Sequence, residues 1–137
     1  MKVSSHFRIE EFVPPVVFER YGERSIWFVD ERIILVAEWL RNYTGKAITV
    51  NNYHAGGTRR ASGFRLKPIG SASMSQHLFG RAFDSLTEGI TAEEMRQIVR
   101  DNFLTLHTMF GISAIEKDVS WLHLDCRATL KPILMEF

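Results

Sequence analysis

The 137-residue sequence has little of what would mark several protein classes. Its one cysteine, Cys126, allows no internal disulfide, so the fold cannot depend on oxidation. No apolar run approaches the roughly 18 residues of a membrane span, which excludes membrane insertion through a helix of that kind. The opening Met1-Lys2-Val3-Ser4-Ser5-His6-Phe7-Arg8 lacks the apolar stretch of a secretory signal. Synthesis in the cytoplasm is therefore expected, with any extracytoplasmic role waiting on release. There is no internal repeat and no low-complexity segment. Charge of one sign is not in excess either: 17 Lys and Arg face 16 Asp and Glu, and a net +1 points to no particular partner. Without an aromatic-interleaved basic stripe or a recognition helix, nucleic acid is not an expected partner.

What is present is an ordinary globular composition, 45% hydrophobic and 24% charged, in a length typical of one domain over residues 1–137. Such a chain can bury roughly two thirds of its unfolded surface and fold without staples, and a monomer is expected. Between Lys46 and Glu88 six basic residues (Lys46, Arg59, Arg60, Arg65, Lys67, Arg81) meet only two acids, Asp84 and Glu88. That basic middle suits an anionic ligand, although charge clusters are usually solvated surface.

Pro14-Pro15 prevents a long helix in the first 29 residues. Asp30 is a good N-cap for a helix over about 31–43, with Ile33, Ile34, Ala37 and Leu40 at helical spacing and Gly45 as its stop. Ala47 to Val50 reads as a short strand. Residues 51–76, with Gly56-Gly57, Gly63 and Gly70, form a long irregular stretch, which in a compact domain is often functional. Arg81 to Leu86 reads as a strand. Thr91 and Glu94 make a capping box for a second helix, whose buried stripe (Met95, Ile98, Val99, Phe103, Leu106, Phe110) ends at Gly111. Ile112–Ile115 and Ser120–Arg127 are the last strand candidates. The sum predicts an α+β domain: a small, largely antiparallel sheet packed against two helices.

The densest chemical signal is Ser75-Gln76-His77-Leu78-Phe79-Gly80-Arg81-Ala82-Phe83-Asp84, which reads S-x-H-x-x-G-x-A-x-D. Imidazole and carboxylate are both good zinc ligands. Gly80 lets the chain curl so that His77 and Asp84 face one point, and Ala82 shares the Asp84 face of the strand and leaves room beside it. The second signal is Trp121-Leu122-His123-Leu124-Asp125-Cys126-Arg127. Alternation puts Trp121, His123, Asp125 and Arg127 on one face and Leu122, Leu124 and Cys126 on the other, a strand flooring a pocket. His77, Asp84 and His123 then make three protein ligands with a fourth position free for water, the open arrangement of catalytic zinc.

These segments resemble the signature of the D-alanyl-D-alanine carboxypeptidase and L-alanyl-D-glutamate endopeptidase family of zinc peptidases, which includes VanX-like, VanY-like and phage enzymes. The family's pattern is S-x-H-x-x-G-x-A-x-D followed by an aromatic-x-H-x-D strand. His6-Phe7-Arg8-Ile9-Glu10-Glu11-Phe12 is similar to the start of such domains, and Ser62-Gly63-Phe64-Arg65 to a stretch before the first ligand, so the resemblance spans nearly the whole chain. It implies a Zn2+ cofactor that polarises water and the scissile carbonyl. It implies that Arg65 clamps a substrate carboxylate or steadies the oxyanion, with Ser75 and Trp121 as further substrate contacts. It also implies a carboxylate general base. The sequence departs from the pattern here: family members often place Glu or Asp three residues before the last His, where this chain has Ser120. Glu116, Asp118 and Asp125 are the candidates left.

The plainer reading of each residue is also defined. Asp125 can serve as a salt-bridge partner of Arg127 or support a metal ligand. Trp121 can stack on substrate or simply pack. Arg59 and Arg60 are expected in solvent, Cys126 in the core, His6 and His107 in structural roles, and His54 as an ordinary loop residue. Two functions from different classes follow. The first is a peptidoglycan peptidase cutting a stem-peptide bond, of phage or prophage origin and reaching the wall through a lysis system or within a virion. The second is a catalytically silent zinc-fold module, for binding or as a virion component, supported by Ser120.

Overall fold

The computed structural model describes residues 1–137. Helix α1 runs over Pro15–Tyr21, with Pro15 at its first position, where a missing N–H costs nothing. Helix α2 runs over Glu31–Thr44. It begins where Asp30 Oδ1 accepts from the Arg32 backbone N–H at 3.0 Å, and ends at Gly45, whose φ of +66° is the left-handed cap. The capping box at Thr91 and Glu94 forms as expected. The long second helix, however, is two: α3 over Ala92–Asp101 and α4 over Phe103–Phe110. Asn102 leaves the helical region (ψ 16°), and its amide donates to the Ile98 carbonyl at 2.8 Å, the local competition that makes Asn a poor helix-interior residue.

Five short strands make one sheet: β1 (Ile48–Thr49), β2 (Ala82–Thr87), β3 (Ala114–Ile115), β4 (Leu122–Asp125) and β5 (Met135–Glu136). Their order is β1-β2-β4-β3-β5, antiparallel except for the β3–β5 pair. The sequence reading lacked β5, a two-residue strand whose side chains are both exposed and so show no alternation. One face of the sheet, with Phe83, Leu122, Leu124 and Ile115, joins α2 (Ile33, Val36, Ala37, Leu40), α3 (Met95, Val99) and α4 (Leu106, Phe110) in a single core. Ile9, Val13 and Val17 form a small satellite under the N-terminal turns. No helix is long and apolar enough to cross a membrane.

The β2–β4 register positions the site. Asp84 lies directly opposite His123, and Ala82 opposite Asp125. Directly opposed residues of an antiparallel pair share a face, so both face away from the Leu122–Leu124 core side. On the other flank of β4, Ala114 is also opposite Asp125. A wholly buried carboxylate thus sits in a row between two alanines, whose small side chains leave it room.

Candidate metal centre

His77 is carried by the 3-10 turn Gln76–Phe79, started by Ser75, whose Oγ accepts from the His77 N–H at 3.3 Å. Gly80 ends that turn with φ +66° and runs so close to the chain before α2 that a Cβ would sit 2.0 Å from the Phe28 carbonyl oxygen. Both demands, the left-handed backbone and the close approach, admit only glycine. The chain then enters β2 and delivers Asp84.

The three side chains converge. His123 Nδ1 lies 2.9 Å from Asp84 Oδ1, His77 Nε2 lies 3.2 Å from the same oxygen, and all three ligand atoms fall within 4.8 Å of one another. Tetrahedral zinc with ligands at about 2.0–2.2 Å holds neighbouring donors roughly 3.3–3.5 Å apart, so two of the edges are already close to that spacing. The outward sides of the rings are tied off. His77 Nδ1 is 2.8 Å from the Gly63 carbonyl oxygen, which can only accept, so Nδ1 carries the hydrogen and Nε2 is aimed at the centre. His123 Nε2 is 2.9 Å from Asp125 Oδ2, and the same logic turns Nδ1 inward. Asp84 Oδ2 accepts from Arg65 Nη2 at 3.0 Å, leaving Oδ1 for the centre. Neutral imidazoles so oriented would present two lone pairs to a carboxylate oxygen. Only a proton or a cation between them relieves that confrontation, and this donor set fits a divalent metal.

The electrostatics agree. Burial opposes the charge on His123, but the hydrogen bonds to Asp125 and Asp84 outweigh it and push its pKa up to about 9. Burial would raise Asp84, yet hydrogen bonds from His123 and His77 hold it well below the usual carboxylate range. Asp125 is likewise held down against its burial by Arg127 and His123. Without a metal, His123 is thus an imidazolium clamped between two carboxylates.

The cluster opens into a cavity of about 470 Å³. Ser75, Arg65 and Trp121, the expected substrate contacts, all line it. Arg65 is more than a free clamp: it donates to Asp84 and, through Nε, to the Ala61 carbonyl at 2.6 Å. Trp121 is half-buried, and its indole Nε1 has no hydrogen-bond partner. The three carboxylates considered for the base separate cleanly. Glu116 lines the cavity, half-buried. Asp118 is exposed on the β3–β4 turn (φ +59°), outside the cavity. Asp125 is fully buried behind His123, both its oxygens engaged by His123 and Arg127, so it orients His123 and does not face the cavity. His54 is exposed and absent from the cavity wall; His6 pairs with Glu38, and His107 bonds the Ile112 carbonyl.

Some residues of the site escaped the sequence reading. Arg59, expected in solvent, lines the cavity and donates to the Val50 and Asp84 carbonyls. Arg127 and Phe137 complete the opposite wall. Arg96, buried in α3, donates through Nη1 to the carbonyls of Glu116, Val119 and Trp121 and so shapes the turn that carries Glu116. Its one sequence signal was its place beside Met95 on a buried stripe. No protein-family model, curated protein or solved structure matches the chain.

Proposed function

We propose that this chain is a zinc-dependent peptidase that hydrolyses a bond in the peptidoglycan stem peptide, as a D,D-carboxypeptidase or an endopeptidase of phage or prophage origin. The observation that carries the reading is the inward convergence of His77 Nε2, Asp84 Oδ1 and His123 Nδ1, with every outward face anchored by Gly63, Arg65 or Asp125. Together with the S-x-H-x-x-G-x-A-x-D spacing, this supports a three-ligand centre with room for water and substrate. Zinc held there supplies Lewis acidity to a carbonyl and to water near neutral pH.

The chain's own groups supply the rest. Glu116, on the cavity wall, takes the proton from the attacking water and returns it to the leaving amine. Arg65, fixed by Ala61 and Asp84, offers the N–H groups of Nη1, which bind nothing else, to a substrate carboxylate. Asp125 keeps His123 oriented. The test pairs metal analysis with digestion of purified muropeptides read by mass spectrometry. One zinc per chain and one class of bond cut are expected, with Glu116→Gln lowering kcat by about 10²–10⁴-fold at unchanged zinc content. Absence of bound zinc after reconstitution refutes the reading. A second reading, a silent zinc-fold module, is favoured by Ser120, which is exposed and lines a different cavity, so no carboxylate stands at the family's usual base position. Full zinc without cleavage would select it.

A further inference from the structure

The peptidase reading uses Arg65 and leaves the opposite wall of the cavity without a task. The strand order β1-β2-β4-β3-β5 separates two cationic groups. Arg59 and Arg65 gather on the β1–β2 side, bonded to Val50, Ala61 and Asp84. Arg127 stands on the β3–β5 side, where the Ser113 hydroxyl donates to its carbonyl at 2.6 Å. His123 lies on β4 between them, so a chain of contacts, Arg65–Asp84–His123–Asp125–Arg127, strings the two guanidiniums across the metal centre.

Arg127 is held as firmly as Arg65. Its Nε donates to Asp125 Oδ1 at 2.8 Å and its Nη2 to Asp125 Oδ2, while its guanidinium carbon stands 5.0 Å from the centre of the Phe137 ring. Phe137 in turn packs edge-on against His123, with centroids 5.6 Å apart. The Nη1 of Arg127 has no partner within the chain, and both Arg127 and Phe137 line the cavity. An arginine anchored through its other donors loses little freedom when Nη1 meets a carboxylate. The buried Asp125 does not compete for it, since its two oxygens are already engaged.

We propose that Arg127, braced by Asp125 and Phe137, is a second carboxylate subsite across the metal centre from Arg65, so that the preferred stem peptide carries an acidic group on each side of the bond presented to the metal. This rests on the peptidase reading above. Three synthetic stem peptides of equal length test it: one with the acidic groups on both sides of the cut bond free, and two with one or the other amidated. Their binding to zinc-loaded Glu116→Gln protein is measured by calorimetry, and their cleavage with the wild-type chain. Each amidation is expected to weaken binding about tenfold, the scale of a charged hydrogen bond. Arg127→Met removes the preference at one position only, and Arg65→Met at the other. Phe137→Leu, which keeps the Arg127–Asp125 pair, lowers the first preference in part. Equal weakening of free and amidated peptides by Arg127→Met, or stem peptides bound and cut with no effect of amidation on the Arg127 side, overturns the inference alone. A zinc-loaded protein that neither binds nor cuts any of the three overturns the peptidase reading and the inference with it.

Discussion

A proton on His123 should compete with zinc for the centre, and the competition can be measured. His123 Nδ1 faces Asp84 at 2.9 Å while Nε2 faces Asp125 at 2.9 Å, and the two carboxylates push its pKa to about 9 in the metal-free chain. Zinc requires Nδ1 as a lone pair, so binding at pH 7 must expel this proton. Removing it two units below its pKa costs about 2.7 kcal/mol, or roughly a hundredfold in affinity. Zinc affinity should therefore rise about tenfold per pH unit between pH 7 and 9 and level off above. Competition against a chromophoric chelator across that range gives the slope. Calorimetry in buffers of different ionisation enthalpy counts the protons, and about one should leave per zinc at pH 7. An affinity flat from pH 7 to 9 with no proton release would refute the reasoning, because it would mean that His123 is neutral in the metal-free protein or is not a ligand.

The same shift has a stability consequence of definite sign. The folded pKa of His123 lies above its unfolded value of 6.5, so its contribution is complete below pH 6.5 and is lost as pH rises through about 9. The metal-free protein should lose up to about 3 kcal/mol over that window. The zinc-loaded protein, with the proton already displaced, should show no such loss. Thermal melts of the two forms at pH 6 and pH 9.5 separate these outcomes.

Three substitutions probe the supports of the centre. Gly63→Ala would place a Cβ 2.3 Å from the Phe12 carbonyl oxygen and move the carbonyl that fixes His77, so zinc affinity should fall about 10–100-fold and the melting temperature should drop; unchanged affinity would remove the Gly63 carbonyl from the design. Asp125→Asn preserves size but takes away the charge shared by His123 and Arg127, and a similar 10–100-fold loss is expected, with the step in zinc affinity between pH 7 and 9 moved to lower pH. Ala82→Val crowds Asp125 from the facing strand and should cost about 1–3 kcal/mol in urea unfolding, whereas Leu86→Val on the exposed end of the same strand should cost well under 1.

The parts of this molecule that could be read from sequence are those where one residue's chemistry acts locally. Asp30 and Gly45 bound α2, the Thr91–Glu94 box opens α3, and Gly80 turns the chain after His77, each through bonds within a few residues. The convergence of His77, Asp84 and His123 was legible for a related reason: its spacing is written in one ten-residue motif and one alternating strand. Asn102 shows where local reading falls short, since the apolar stripe runs on through it while its side chain competes for the Ile98 carbonyl and breaks the helix. β5 was hidden because two exposed residues carry no period, and with it went Phe137 and the far wall of the cavity.

Which candidate carboxylate faces the cavity could not be read from spacing, because register and a distant helix decide it. Alternation put Asp125 on the face of His123, which was right. Alternation alone does not decide whether its carboxylate reaches the cavity. What decides instead is that Ala82 and Ala114 flank it in register, giving the carboxylate space to fold back onto His123 Nε2 and Arg127, where it is wholly buried. Glu116 is placed by Arg96, twenty residues away, whose guanidinium gathers three carbonyls of the β3–β4 turn. Asp118, two residues from Glu116 and of the same chemistry, is left in solvent by the same turn. The three carboxylates left open as base candidates thus acquire three different environments, and of them only Glu116 stands both on the cavity wall and free of side-chain partners, as the proposed general base would need.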